Sequence, residues 1–187
     1  MQQFQRASVV LTLGNKLRSQ GSWTGETHLQ KATYVMQELL RVPTGFEFVL
    51  YKHGPFSFDL RALLSSMEAD SFIRWVPQHP YGPTMEAGGS AEQLLTQFPK
   101  KPIEYSRQID FVARKLGPYR VTDLEKLATA LYVTHERNGT AHERRTARER
   151  AARINELKPH ISIAEAQRAV ADLDELTIEA APLILHD

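Results

Sequence analysis

Cysteine is absent from the 187 residues of this sequence. Without thiols the chain cannot hold a disulfide scaffold, a cysteine-based zinc site, an iron–sulfur cluster or a cysteine nucleophile. Disulfides belong mainly to secreted proteins, so a cysteine-free chain fits the cytoplasm, which is the compartment we predict.

Long apolar runs are also missing, since none approaches the ~18 residues of a membrane-spanning helix. The first residues, Met-Gln-Gln-Phe-Gln-Arg, have neither the basic start nor the apolar core of a secretory signal. We therefore expect no membrane partner.

The chain also lacks an excess of charge of either sign, because its 23 Lys and Arg are balanced by 22 Asp and Glu. A general polyanion binder would be more basic.

Charge is nevertheless uneven along the chain. Residues 141–158 carry six Lys or Arg against three Glu, whereas residues 159–187 carry one Arg against six acidic side chains. Two interpretations stay open. The basic and acidic segments lie against each other, or each is a solvated helix face, since exposed ion pairs are weak.

Apolar residues at helical spacing dominate what is present. They predict helices over residues 4–20, 28–41, 58–69, 91–98, 103–116, 123–137, 141–157 and 163–176. Capping boxes, in which Ser or Thr precedes Glu or Gln by three residues, support five helix starts. They are Thr27/Gln30, Ser90/Gln93, Thr122/Glu125, Thr140/Glu143 and Ser162/Glu165.

Aromatic and β-branched residues predict strands over 46–51 and 72–76, with a return strand near 81–86. The predicted fold is mainly α, with a small antiparallel β element. Residues 1–100 form a winged-helix-like first half, and residues 101–187 form a helical C-terminal extension packed on it as one compact unit. The match to a winged helix is partial, because some sixteen residues separate the second and third helices.

The most unusual segment is Tyr-Lys-His-Gly-Pro-Phe-Ser-Phe-Asp-Leu, residues 51–60. Gly54 permits positive φ and Pro55 fixes φ, so the two predict a tight turn. Ser57 is a suitable cap for the helix that follows, and Asp59 suits its first turn. A strand-to-helix turn explains these four residues, but it does not explain the preceding Tyr-Lys-His.

Residues 27–34, Thr-His-Leu-Gln-Lys-Ala-Thr-Tyr, and residues 48–60 together resemble the Panacea domain. This family includes SocA-like antitoxins and phage-associated GepA-like proteins, and its YwgA-like branch is the most similar. The family pattern is a helix with Leu-Gln-Lys and a Tyr, then a strand into Tyr-Lys-x-Gly-Pro-Phe-Ser. The resemblance covers about residues 5–90, and more loosely the C-terminal helices.

The resemblance implies a mostly helical fold and a non-catalytic binding role without a cofactor. Members resemble antitoxins that neutralise a toxin by direct contact, and one branch resembles an adaptor that delivers its toxin to a Clp-type protease. The helices beyond residue 103 depart from shorter members. They provide either a specificity element or a homodimer surface.

The candidate signature residues lie in the two halves of this pattern. They are His28, Gln30, Lys31, Tyr34, Tyr51, Lys52, His53, Gly54, Pro55, Phe56, Ser57 and Asp59. These residues form either a polar pocket for an anionic group of a partner or a fixed hydrogen-bond network. A second candidate is a basic interface on the helix predicted over 141–157, formed by Arg144, Arg145 and Arg148.

Other chemistries have weaker support. The seven histidines show no spacing typical of a metalloprotease, so we predict no metal site. Ser57, His53 and Asp59 lack the Gly-x-Ser-x-Gly elbow of a hydrolase. The sequence therefore favours a protein-binding module. The first alternative is a winged-helix-like DNA-binding transcriptional regulator, although helix 58–69 offers only one Arg. The second alternative is an enzyme with a pocket around His28, Lys31, Tyr51 and His53.

Overall fold

The computed structural model describes residues 1–79, 81–136 and 145–185. Within these ranges the chain is mainly helical and has two separate two-stranded antiparallel sheets, which confirms the predicted fold class. The helices are α1 Gln3–Ser19, α2 Glu26–Glu38, α3 Phe58–Ala69, α4 Ala91–Gln97, α5 Lys100–Glu104, α6 Ser106–Leu116, α7 Val121–His135, α8 Ala147–Leu157 and α9 Ile163–Ala180. The strands are β1 Val49–Tyr51, β2 Gly54–Phe56, β3 Ile73–Gln78 and β4 Tyr81–Ala87.

Helix α1 runs through the hydrophobic core. Its residues Val9, Val10, Leu13 and Leu17 are fully buried, as the spacing predicts. It packs on α2, α3, α4, α5, α6 and β4, so that elements from both halves of the chain surround it. Helix α7 packs on α2 and β2 in the same way. The C-terminal helices therefore contact the first half across a shared core.

The first hairpin differs from the prediction. Strand β1 begins only at Val49, and it pairs with β2, which the sequence pattern did not predict. Tyr51 lies opposite Gly54, so the turn is Lys52-His53, and Gly54 and Pro55 belong to the returning strand. Gly54 has a φ of +82°, which a residue with a side chain rarely adopts. The helix start after the hairpin is as predicted, because the Ser57 hydroxyl accepts a 3.2 Å hydrogen bond from the Leu60 amide.

The second hairpin, β3–β4, forms where the sequence predicts it. It packs against the α1–α2 connection instead of projecting away from the body. The Met85 amide donates to the Thr24 carbonyl at 3.0 Å, and the Trp23 indole donates to the Gly82 carbonyl at 3.0 Å. The β3–β4 hairpin is therefore joined to the body through β4, at Met85 and, near its turn, at Gly82.

Three of the predicted capping boxes do not form, although the helices they introduce begin within two residues of the predicted positions. Helix α2 has Gly25 as its N-cap, since the Gln30 side chain bonds to residue 57 instead of to its own helix start. Helix α7 is not capped by a Thr122/Glu125 box, because Glu125 contacts His160. Ser90 precedes α4 but forms no side-chain cap. Of the four predicted boxes that lie within the described residues, only Ser162/Glu165 forms.

Two further helices have other bounds. The helix predicted over 103–116 is divided into α5 and α6 at Tyr105. Helix α8 begins at Ala147 rather than 141, with a capping box formed by Thr146 and Glu149. The predicted Thr140/Glu143 box lies outside the described residues. Across the ranges that are described, no helix combines the length and the apolar character needed to cross a bilayer.

The two glycines between β4 and α4 allow a test of this packing. A Cβ on Gly88 would lie 2.1 Å from the Ser71 carbonyl oxygen, whereas a Cβ on Gly89 would meet nothing within 4 Å. Because the obstacle is backbone, we expect Gly88→Ala to lower the free energy of unfolding by about 1–3 kcal/mol. Urea denaturation would measure this. The matched variant Gly89→Ala should stay within about 0.5 kcal/mol of wild type, and equal losses in both variants would contradict the packing.

Candidate functional site

The two halves of the sequence signature contact each other directly. The Gln30 amide donates to the Ser57 carbonyl at 2.9 Å and accepts from the Ser57 amide at 2.9 Å. The Lys31 ammonium donates to the Pro55 carbonyl at 2.8 Å. Strand β2 pairs with β1 along one edge only, so these side chains from α2 satisfy backbone groups on its other edge.

Gly54 brings the hairpin against α7. A Cβ at this position would lie 3.1 Å from the Thr129 hydroxyl and 3.4 Å from the Glu125 carbonyl oxygen. It would also lie 3.5 Å from the side chain of Lys31. The absence of a side chain at Gly54 therefore permits the close approach of β2 to both α2 and α7, in addition to its positive φ.

Residues from the C-terminal half hold the tip of the same hairpin. The Lys158 ammonium donates to the carbonyl of Tyr51 and, at 2.8 Å, to that of Lys52. The buried carboxylate of Glu125 lies 3.6 Å from His53 Nδ1 and 3.2 Å from His160 Nε2. Sequence reasoning assigned no role at this site to Glu125, Lys158 or His160. Their distance along the chain leaves no local pattern that could have identified them.

The ammonium of Lys31 is almost fully buried, with 1% of the residue exposed. Its pKa is lowered from 10.5 to about 8, mainly by burial; the Glu125 carboxylate opposes this shift, and the Lys158 charge adds to it. Its hydrogen bond to Pro55 is internal. For Gln30 and Lys31 the structure therefore supports the fixed hydrogen-bond network over a pocket open to a ligand.

The outer face of the hairpin is aromatic. Tyr51 and Phe58 are each 53% exposed, and their rings are 5.7 Å apart. Phe56 lies beneath them, with ring centroids 5.6 Å from Tyr51 and 5.1 Å from Phe58. The Arg61 guanidinium lies 4.5 Å from the centroid of the Phe56 ring and pairs with Glu26 at 2.7 Å. We call Tyr51, Phe56, Phe58 and Arg61 the aromatic face.

The remaining signature residues do not join the hairpin network through their side chains. Buried Tyr34 stacks edge-on against Phe48, with 4.9 Å between the ring centroids, and burial raises its pKa. Lys52 and Asp59 have exposed side chains. His28 is buried elsewhere, between the α1–α2 connection and the end of α6. The predicted convergence of His28 with His53 is therefore wrong.

The ring of His28 is fixed by two hydrogen bonds. Its Nε2 lies 3.0 Å from the Leu116 carbonyl, which can only accept, so Nε2 carries the proton. Its Nδ1 then accepts from the Ser22 hydroxyl at 2.9 Å. This neutral tautomer agrees with burial, which lowers the pKa of His28 to about 4 despite the opposing effect of the Leu116 carbonyl.

Two other kinds of site considered from the sequence are a catalytic triad and a metal site. Ser57 is buried and its hydroxyl caps α3, His53 faces Glu125, and Asp59 points to solvent, so these three form no catalytic triad. Among the residues that the structure describes, no group of three or more His, Asp or Glu side chains is arranged to hold a metal ion.

The predicted basic interface is only partly visible. Arg144 lies outside the described residues. Arg145 precedes α8 and bonds to the Val133 carbonyl at 3.1 Å and to Glu136 at 2.9 Å, so it is engaged within the chain. Arg148 is exposed.

The basic and acidic segments do meet at one point. Arg150 of α8 forms a bidentate pair with Asp174 of α9, at 2.8 and 2.6 Å. Glu149 caps its own helix, and Arg153 pairs with Glu136 and Glu156. The basic and acidic segments therefore contact each other at Arg150 and Asp174, while other charged side chains of these segments, such as Arg148, are exposed to solvent.

In comparisons with known proteins, no protein-family model matches the chain and no curated protein matches it. The resemblance to the Panacea domain stays a prediction that rests on the residues of the signature.

The buried neutral His28 predicts a specific pH dependence. A base whose pKa falls from 6.5 to about 4 on folding contributes stability above pH 6.5, and this stability is lost as the pH falls toward 4. The shift corresponds to about 3 kcal/mol. We expect His28→Gln to be less stable than wild type at pH 7, and the gap to shrink by about that amount at pH 4. Urea unfolding at several pH values measures the gap, and a gap independent of pH would contradict the assignment.

Proposed function

We propose that this chain is a non-catalytic protein-binding module that acts by direct contact through its aromatic face. The observation that carries the proposal is the exposure of two large aromatic side chains, Tyr51 and Phe58, above a buried third ring. Aromatic residues and Arg dominate the binding energy of protein interfaces, so this composition favours a protein partner.

Rigid support of the face strengthens the proposal. Binding costs less when the contact residues are already ordered in the free protein. The backbone beneath the face is held by Gln30 and Lys31 from α2 and by Lys158 after α8.

Charge around the face bears on the partner. Arg61 is the only cation of α3, and it already pairs with Glu26. Nucleic-acid affinity depends on several cations that are free to meet phosphates. The arginines at residues 145, 150 and 153 are likewise paired within the chain. These pairings favour a protein partner over DNA, which remains the first alternative.

The resemblance to SocA-like antitoxins suggests the kind of partner. We propose a cognate toxin protein in the cytoplasm, bound without a cofactor and either neutralised or delivered to a Clp-type protease. A partner surface complementary to this face would offer an apolar pocket for the rings and an acidic side chain near Arg61.

Removal of the two exposed rings tests the proposal. The partner to use is the product of a reading frame adjacent to this gene that is toxic when expressed alone. We expect the double variant Tyr51→Ala, Phe58→Ala to bind this partner at least about 30-fold more weakly in calorimetry. A loss of this size, about 2 kcal/mol, corresponds to the removal of one interface hot spot. The variant should also fail to restore growth on co-expression.

A matched control separates binding from folding. Ile103 and Ile178 are exposed apolar residues on α5 and α9, 69% and 75% exposed. The double variant Ile103→Ala, Ile178→Ala removes comparable exposed apolar surface and should bind as wild type does. If the control loses affinity and the aromatic variant does not, or if no adjacent product binds, the proposal is wrong.

A further inference from the structure

A cleft of about 1180 Å³ opens on the side of the molecule next to the aromatic face. Its walls are the α1–α2 connection, α3, the β3–β4 hairpin and the α6–α7 connection. The hydrogen bonds between the hairpin and the α1–α2 connection join two of these walls, so the cleft is part of the folded body. Its volume is slightly above the range of about 300–1,000 Å³ that is typical of small-molecule sites.

The charged groups that line this cleft are mainly cationic. Arg18, Arg61 and Arg120 line it, against the single carboxylate of Glu26, which Arg61 neutralises. Arg18 pairs with Glu86 at 2.5 Å from outside the lining. Arg120 is exposed and also borders a neighbouring groove that contains Asp123, Glu165 and Asp172, but it forms no salt bridge with any residue in the part of the chain that the structure describes. The cleft therefore offers a guanidinium that is available to an anion.

The N-terminal ends of two helices also face this cleft. The first residues of α2 and of α7 both line the cleft, and neither helix start has a side-chain cap within the described chain. Amides at a helix start carry partial positive charge and suit a phosphate or carboxylate group. Each first turn also carries one carboxylate, Glu26 in α2, which pairs with Arg61, and Asp123 in α7, which lies outside the cleft lining and 3.6 Å from Lys126.

Aromatic rings supply the rest of the wall. Trp23, Trp75 and Tyr119 line the cleft and are all partly buried, so flat apolar surface is present beside the cationic groups. Partly exposed aromatic surface of this kind can stack with a planar ring, whereas guanidinium groups bind oxyanions. His28 lies in the same wall, but both of its ring nitrogens are occupied.

We propose that this cleft binds a small phosphorylated ligand with a planar ring, of the nucleoside diphosphate class. The phosphates lie near Arg120 and the two helix starts, and the ring lies against the tryptophans. This site is separate from the proposed protein contact, except that Arg61 borders both.

The chain offers an internal reporter for the test. Its only two tryptophans, Trp23 and Trp75, both line the cleft, so intrinsic tryptophan fluorescence reports on occupancy. The probes are ADP, inorganic pyrophosphate and adenosine, with calorimetry as the second measurement. Adenosine has the absorbance of ADP and therefore controls for optical filtering. We expect a saturable change with ADP, and at least tenfold weaker binding of both pyrophosphate and adenosine.

Two arginine variants localise the binding. Arg120→Gln removes the available guanidinium and should weaken ADP at least tenfold. Arg114→Gln, at an exposed position of α6 outside the cleft, should leave the affinity unchanged. Circular dichroism would verify that both variants are folded.

Three outcomes would overturn the inference. The first is no saturable response to ADP at millimolar concentration, and the second is an equal affinity for ADP in the two variants. The third is binding of a single-stranded oligoribonucleotide but not of ADP, which would assign the cleft to nucleic acid. None of these outcomes depends on the toxin partner, so failure here leaves the proposed protein contact to its own test.

Discussion

The free edge of strand β2 is the constraint on which the rest of this site depends. In a two-stranded hairpin each strand is paired along one edge only, and unpaired polar groups in a buried position are costly. Gln30 and Lys31 satisfy that edge with side chains in place of a third strand. Because they project from α2, the hairpin is positioned by a helix of the core.

This arrangement explains why an ammonium is tolerated in the interior. Lys31 loses most of its hydration, and its lowered pKa reflects that cost. It recovers part of the cost from the Pro55 carbonyl and from the nearby carboxylate of Glu125. The same carboxylate contacts His53 and His160. Residues far apart in the chain therefore share one small polar cluster, and the aromatic face lies on the hairpin that they hold.

The boundaries of the helices and strands show which features local sequence patterns predict correctly. The positions of α1, α3 and the β3–β4 hairpin follow from apolar spacing, the Ser57 cap and the β-rich residues. The boxes predicted at Thr27/Gln30 and Thr122/Glu125 fail because tertiary partners take the side chains that would close them. Gln30 bonds to Ser57, and Glu125 bonds to His160. A capping box therefore does not form when a residue distant in the chain binds one of its side chains.

By itself the sequence determined the mainly helical fold, the absence of thiol chemistry and the segment at residues 51–60 as the most distinctive feature. Those properties depend on composition and on residues close together in the chain. Only the tertiary structure decided which signature residues act together. Lys31 is buried, whereas Tyr51 and Phe58 are exposed. His28 binds Leu116, away from His53, and Lys158 binds the backbone of the hairpin. The physical reason is that burial and hydrogen-bond partners come from the packing of distant segments, about which local spacing carries no information.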